Sequence, residues 1–306
     1  MSRPTRKTAK RGPSLVARVR GAAVRTLIGP WASDERLSRW LGVFVSVLLT
    51  GLTQVGGLIV WPVWGWLDRL GTGHPSRWGR ALRTLALAGV WYTLVALFAV
   101  PPVAAAFGRV RLPLAASPGL PLAPQSAWTV LLLRNYLDRG AADGLREVAR
   151  RRHRAGVAGE WRYLDAGFPL PWTPMPPHAD HRDGHQVDLA LSWAGGPAPS
   201  PIGYFAYAVP DPAATAARAA ACASEPLPRT AWPRRWDFAA LQVLWRHRTF
   251  DADATAGALR AAAESAAVVS IRVEPTLRDR LAPLPKSVAS TCRDPRHDDH
   301  VHLTLR

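Results

Sequence analysis

Six of the nine histidines in this 306-residue chain fall in two short clusters, each flanked by carboxylates. The first contains His178, Asp180, His181, Asp183, Gly184, His185 and Asp188. The second contains His297, Asp298, Asp299, His300 and His302. Neutral imidazole and carboxylate are good ligands for Zn2+, and a catalytic zinc takes three protein ligands and keeps a position for water. The bland alternatives are a surface His-x-His patch near the C-terminus and solvated loop positions for His178 and His185. Two such clusters in a chain with few other histidines favour the metal. His74, His153 and His247 lie in Arg-rich surroundings and read as solvated.

The elements that must position these groups are strands. From 300 to 305, Val301, Leu303 and Leu305 alternate with His300, His302 and Thr304. A period of two sends the apolar side chains to the core and both imidazoles to the opposite face. Val187, Leu189 and Leu191 alternate in the same way around Asp188, and Gly184 permits a tight bend between His181 and that strand. Two neighbouring strands can therefore bring Asp188 and His302 to one point, with His181 arriving from a loop. Further strands are predicted at 187–191 and 268–273, and helices at 128–149 and, alanine-rich, at 255–267. The fold class is α+β: an N-terminal membrane anchor, then a single domain with a small antiparallel sheet carrying the site.

The domains are read as a basic segment at 1–40, an anchor at 41–108, a Pro-rich linker at 109–126 and the domain that carries both histidine clusters at 127–306. Residues 41–67 and 84–108 contain no Asp, Glu, Lys or Arg, and each exceeds the roughly 20 residues that a helix needs to cross a bilayer. They begin too far along the chain and run too long for a signal peptide, so a retained anchor is expected. Arg69, Arg77, Arg80 and Arg83 between them favour the cytoplasm, as do the basic residues before Asp34. Both are satisfied if the first stretch dips in and returns, breaking near Gly51 or at Gly56-Gly57, with Pro62 disturbing it further. The second stretch then crosses once and puts everything after Gly108 outside.

The formal net charge is +17. Residues 1–124 hold 16 basic and 3 acidic residues, residues 125–306 hold 23 and 19, so the basicity belongs mainly to the N-terminal part. A nucleic-acid partner would leave both histidine clusters unexplained and is not expected. Cys222 and Cys292 exclude a disulfide-rich scaffold and a four-cysteine zinc site. Outside the cytoplasm they could pair; two buried free thiols are the equal alternative.

The pattern His-x-x-Gly-x-x-x-Asp (His181, Gly184, Asp188) followed far downstream by His-x-His (His300, His302) resembles the lysostaphin/D-Ala-D-Ala metallopeptidase group. The fuller forms, His178-x-x-His181 and His297-Asp-Asp-His300-x-His302, are similar to the penicillin-insensitive murein endopeptidases, zinc enzymes that cut D-alanyl–diaminopimelate cross-links in peptidoglycan. Weaker similarity runs through Arg134-Asn135-Tyr136, 163–167, 236–238 and 271–275, covering about residues 127–306 and none of the anchor. The resemblance implies that His181, Asp188 and His302 bind Zn2+, that His300 is the catalytic base, and that His297 and His178 line the cleft, where His297 could donate to a developing oxyanion. Peptidoglycan peptides are the implied substrate, and with the topology above the resemblance implies the bacterial inner membrane with the catalytic domain on the periplasmic side. Asp298, Asp299 and Asp183 are candidates to fix imidazole tautomers, and Trp172, Trp193 and Trp236 to stack on substrate or fill the core. A D,D-carboxypeptidase of the same fold and a non-catalytic zinc module that binds cell-wall peptide are the alternatives. The family's members are usually soluble, and residues 190–290 are largely unlike it.

Overall fold

The structure, a computed structural model, describes residues 14–72, 76–157, 159–171, 173–176, 179–198, 200–204, 220, 248–274, 277–278, 281, 286–289, 297 and 299–306. His74, Trp172, His178, Cys222, Trp236, His247, Cys292 and Asp298 lie outside these, and with them the cysteine pairing and the cleft role of His178. The chain divides into two compact units, Met1–Gly51 with Val55–Val95, and Leu52–Gln54 with Ala96–Arg306.

The first unit is helical: α1 Leu15–Ile28, a 3-10 turn Gly29–Ala32, α2 Arg36–Thr53, α3 Gly56–Leu70 and α4 Arg77–Leu94. The apolar stretch 41–67 therefore does break, at Gln54-Val55, where Gln54 takes φ 70°. Helices α2 and α3 run back along each other. The Trp64 indole donates to Ser38 O at 3.0 Å, and a Cβ on Gly57 would lie 2.2 Å from Ser46 O. Pro62, expected to disturb this stretch, sits inside α3 without ending it. After α4 the helix passes through a π segment, Val95–Ala99, into α5, Val100–Ala106. Pro101 and Pro102 supply no N–H, which loosens the ladder at this point, and Arg111 Nη1 donates to Leu97 O at 2.8 Å. The run Arg77–Ala106 is long and apolar enough to cross a membrane.

The second unit is mixed α/β. Its strands are β1 Arg109–Arg111, β2 Leu122–Pro124, β3 Tyr136–Asp138, β4 Trp161–Tyr163, β5 Gln186–Ala190, β6 Val268–Val273, β7 Ser287–Ala289 and β8 His300–Leu305. Strands β1 and β3 form an antiparallel ribbon; the other six form one sheet in the order β2-β4-β5-β8-β6-β7. Its centre, β4-β5-β8-β6, is antiparallel and its two outer pairs are parallel.

Helices α7, Arg139–Arg154, and α8, Ala252–Ala263, pack on one face of this sheet. Leu145 and Val148 of α7 and Leu259 and Ala262 of α8 join Val187, Leu189, Ile271, Val301 and Leu303 in one core. Both helices begin at an aspartate cap: Asp138 accepts from Gly140 N and Asp251 from Ala254 N, which satisfies an otherwise orphaned donor.

Two sequence expectations give way here. The stretch 109–126 is not a free linker. Arg109–Arg111 pairs with Tyr136–Asp138 and Leu122–Pro124 pairs with β4, and Leu112 and Leu122 are fully buried. Proline is tolerated because β2 is an edge strand. The stretch 128–149 is not one helix. A short α6, Ala127–Leu131, stops at Leu133, which takes φ 56°, and β3 intervenes before α7. Leu137, expected on a helical face, reaches the core from a strand.

Candidate metal centre

Strands β5 and β8 pair in the register that sets Asp188 opposite His302. One residue of slip would send one of them to the helix-covered face, so the hydrophobic alternation of both strands fixes their meeting. His181 comes from a 3-10 turn, Ala179–Arg182, just before β5. Gly184 makes the intervening bend at φ 78°, and the site of its missing Cβ is occupied by Arg109 Nη1. Arg109 also donates through Nη2 to Arg182 O at 2.7 Å, which ties the turn to β1.

His181, Asp188 and His302 are all buried, and one ligand atom from each lies within 4.8 Å of the other two. The second nitrogen of each ring is engaged. His181 Nδ1–H donates to Ala166 O at 2.7 Å. His302 Nε2 lies 2.6 Å from Gln186 Oε1 and donates to it. In neutral rings these bonds fix the proton at those positions and leave a lone pair on His181 Nε2 and on His302 Nδ1. The two nitrogens approach the same oxygen, Asp188 Oδ1, at 3.3 Å and 2.9 Å. Three electron-rich atoms meeting at one point out of water require a cation among them, a proton or a metal ion.

Titration follows the same electrostatics. The Asp188 carboxylate is held well below its usual range because His181 and His300 outweigh the cost of its burial. Burial works against the His181 cation, yet the adjacent Asp188 charge and hydrogen bond raise its pKa. In His302 burial wins, and the ring is biased toward its neutral, ligating form.

Around these three stand further groups. Tyr204 donates its hydroxyl to Asp188 Oδ2 at 2.8 Å and accepts from Asp165 N at 3.3 Å. His300 Nδ1 meets Asp299 Oδ1 at 2.5 Å, and its Nε2 lies 3.7 Å from Asp188 Oδ2. The His297 ring centre is 4.9 Å from that of His300 and 5.9 Å from that of His302, and Glu274 Oε2 accepts from His297 N at 3.0 Å. Of the two described acids suggested by sequence for fixing a tautomer, Asp299 contacts an imidazole. Asp183 accepts from the His185 backbone N–H instead. His185 is half-buried, and its carbonyl accepts from Leu305 N. Trp193 packs in the core, edge-on to Phe250.

Sequence reasoning missed Gln186 and Tyr204. Gln186 had a signal, since it lies two residues before Asp188 on one strand and so on the same face. Tyr204 had none; it sits in a loop far from either cluster. The ion pair of Arg134 with Asp165, 2.8 Å and nearly buried, braces the strand of backbone that bonds β5 through Asp188 N and Asp165 O. Compared with known proteins, the chain matches no family model and no curated sequence.

Proposed function

We propose that the second unit is a zinc metallopeptidase that hydrolyses peptide bonds of peptidoglycan, held at a membrane by the helices before it and working on the extracytoplasmic side. The observation that carries this reading is the convergence of two tautomer-fixed imidazole nitrogens and one carboxylate oxygen on a single point. Two histidines and one acid match a catalytic zinc donor set. Bonds of about 2.0–2.1 Å give tetrahedral ligand edges of about 3.3 Å, and the His181–Asp188 approach of 3.3 Å fits them.

When bound, the ion supplies Lewis acidity toward a scissile carbonyl and makes water more acidic. The chain's own residues do the rest. Asp299 holds the His300 ring with its proton on Nδ1, which leaves Nε2 to accept a proton beside Asp188; a positioned base of this kind contributes about 10²–10⁴-fold. The same nitrogen can then return the proton to the leaving amine. His297, packed against His300, is the group suited to donate to a developing oxyanion. The Asp299–His300 pair favours catalysis over a purely structural metal site, which has no need of a held base. The periplasmic assignment is supported by the apolar run Arg77–Ala106 and by the arginines at 69, 77, 80 and 83, which favour the cytoplasm.

The test uses the full chain in detergent with muropeptides, with and without a chelator, and mass analysis of products. Wild type is expected to cleave in a zinc-dependent way, His181→Ala, Asp188→Ala and His302→Ala to lose both metal and cleavage, and His300→Ala to keep metal while slowing by about 10²–10⁴. Product masses distinguish an endopeptidase from a D,D-carboxypeptidase. Zinc binding without any cleavage would overturn the catalytic reading and leave a wall-peptide binding module.

A further inference from the structure

We infer that helix α1 lies flat in an anionic membrane interface, its apolar stripe in the lipid and its arginines on phosphate. This rests on the reading that the chain is membrane-anchored. The inference starts from what the first unit gathers around Asp68. That buried carboxylate accepts from Ser33 Oγ at 2.6 Å, from Arg80 and from Thr84 Oγ1 at 3.4 Å. It thereby ties the 3-10 turn after α1, the last turn of α3 and the first turns of α4 into one cluster. The start of α2 joins through Ser38, which accepts from Trp64. Arg36, Arg39, Arg69, Arg77, Arg80 and Arg83 all belong to these element ends, whereas the opposite turn at Gln54-Val55 carries no charge.

Helix α1 packs on α3: Trp61 donates to Leu27 O at 3.1 Å, and the Arg25 guanidinium stands 5.6 Å over the Trp66 ring. The other side of α1 is apolar and, among the described residues, uncovered. Leu15, Val16, Val19 and Leu27 are 76%, 76%, 60% and 77% exposed. At helical spacing they form one stripe, with exposed Arg18 and Arg20 on its flanks. At 14 residues α1 is about 21 Å long, too short for a hydrocarbon core of about 30 Å, and its three arginines would be costly inside one.

The stripe therefore suits a helix lying in the interface. Charge identifies the lipid class. Residues 1–33 hold eight basic side chains and no acid, which complements anionic headgroups at roughly 1 kcal/mol per residue near the surface. Trp40 and Trp78, near the starts of α2 and α4, are 60% and 61% exposed, and tryptophan at helix ends marks the headgroup level.

The experiment places single spin labels at positions 16, 19, 27 and 98 of the full chain, in a Cys222→Ser, Cys292→Ser background. The chains are reconstituted in phosphatidylcholine vesicles with and without phosphatidylglycerol. Collision with oxygen reports lipid, and collision with a water-soluble nickel chelate reports solvent. With phosphatidylglycerol, labels at 16, 19 and 27 are expected to favour oxygen over the nickel chelate, as is the label at 98, which lies in the apolar run. Arg18→Gln with Arg20→Gln should raise the water-exposed population by roughly thirtyfold, since 1 kcal/mol is about fivefold for each. A label at 98 in lipid with 16 and 19 in water overturns this inference alone. A label at 98 in water overturns the membrane reading beneath it. Labels at 16 and 19 shielded from both reagents mean a protein contact covers the stripe, which also overturns the inference.

Discussion

Replacing Tyr204 by Phe tests whether the carboxylate is held by the protein before any ion arrives. The hydroxyl donates to Asp188 Oδ2 at 2.8 Å in a place with no solvent access to Asp188. It thereby assigns the two carboxylate oxygens different duties, since Oδ1 is the one that both histidine nitrogens approach. A hydrogen bond to a charged group contributes about 1.5–3 kcal/mol, and 1.4 kcal/mol is tenfold in affinity. Zinc affinity should therefore fall by about 10–100-fold, the range measured for such outer partners. Phe keeps the ring that packs 5.1 Å from His300, so turnover at saturating zinc should change little. Affinity is read by competition with a chromogenic chelator. Thermal melting at fixed free zinc gives a second reading, because each tenfold loss of affinity removes about 1.4 kcal/mol of ligand-linked stability. If Tyr204→Phe binds zinc as tightly as wild type while His302→Ala does not bind it, the hydroxyl does not position the carboxylate and the reasoning fails.

Gly184→Ala should destabilise the second unit by more than about 1 kcal/mol and weaken metal binding together with it, because φ is 78° and the new Cβ would overlap Arg109; melting and chelator competition on one preparation check both. Arg134→Leu should cost about 3–5 kcal/mol, since it strands the nearly buried Asp165 charge, and adding Asp165→Asn should recover part of that loss. Burial raises the Tyr163 phenol pKa well above its usual 10, despite a lowering contact from Asn135. Its contribution to stability is therefore complete below about pH 10 and is lost as the pH rises further and only the unfolded chain ionises. Denaturation midpoints should drop above pH 10, and less steeply in Tyr163→Phe; equal slopes would refute the assignment.

How much of this was readable from the residues depends on the range over which each signal acts. Alternation within 300–305 and 187–191 is a local property, and the strands appear where it stands, at His300–Leu305 and Gln186–Ala190. The break between two apolar helices was legible near Gly56-Gly57 for a similar reason, since glycine there both weakens a helix and lets α2 approach α3. Burial was less legible. Period two predicts only that His300 and His302 face away from the helices, whereas both are nearly inaccessible because that face is covered as well. The helix expected at 128–149 failed because Leu137 and Leu145 satisfy a helical spacing by chance. The better signal was Asp138 followed by Arg139-Gly140, a cap placed in mid-segment.

What no local pattern could supply is the register between β5 and β8, 114 residues apart for Asp188 and His302. The sheet turns two unremarkable alternations into one site by placing a carboxylate and an imidazole opposite each other. The remaining choices follow from which nitrogen is already engaged. Ala166 O takes the Nδ1 proton of His181, so that ring offers Nε2; Gln186 takes the Nε2 proton of His302, so that ring offers Nδ1. A loop histidine reaches the site with its far nitrogen and a strand histidine with its near one, which lets elements of different reach converge on Asp188 Oδ1. Had both rings offered the same nitrogen, one of them would have had to shift along its backbone. Gln186→Leu should accordingly release the His302 tautomer and cost affinity in the same 10–100-fold range, while Gln186→Glu, which still accepts from Nε2, should bind zinc better than Gln186→Leu. The reverse order in chelator competition would show that the amide at 186 serves packing and not proton placement.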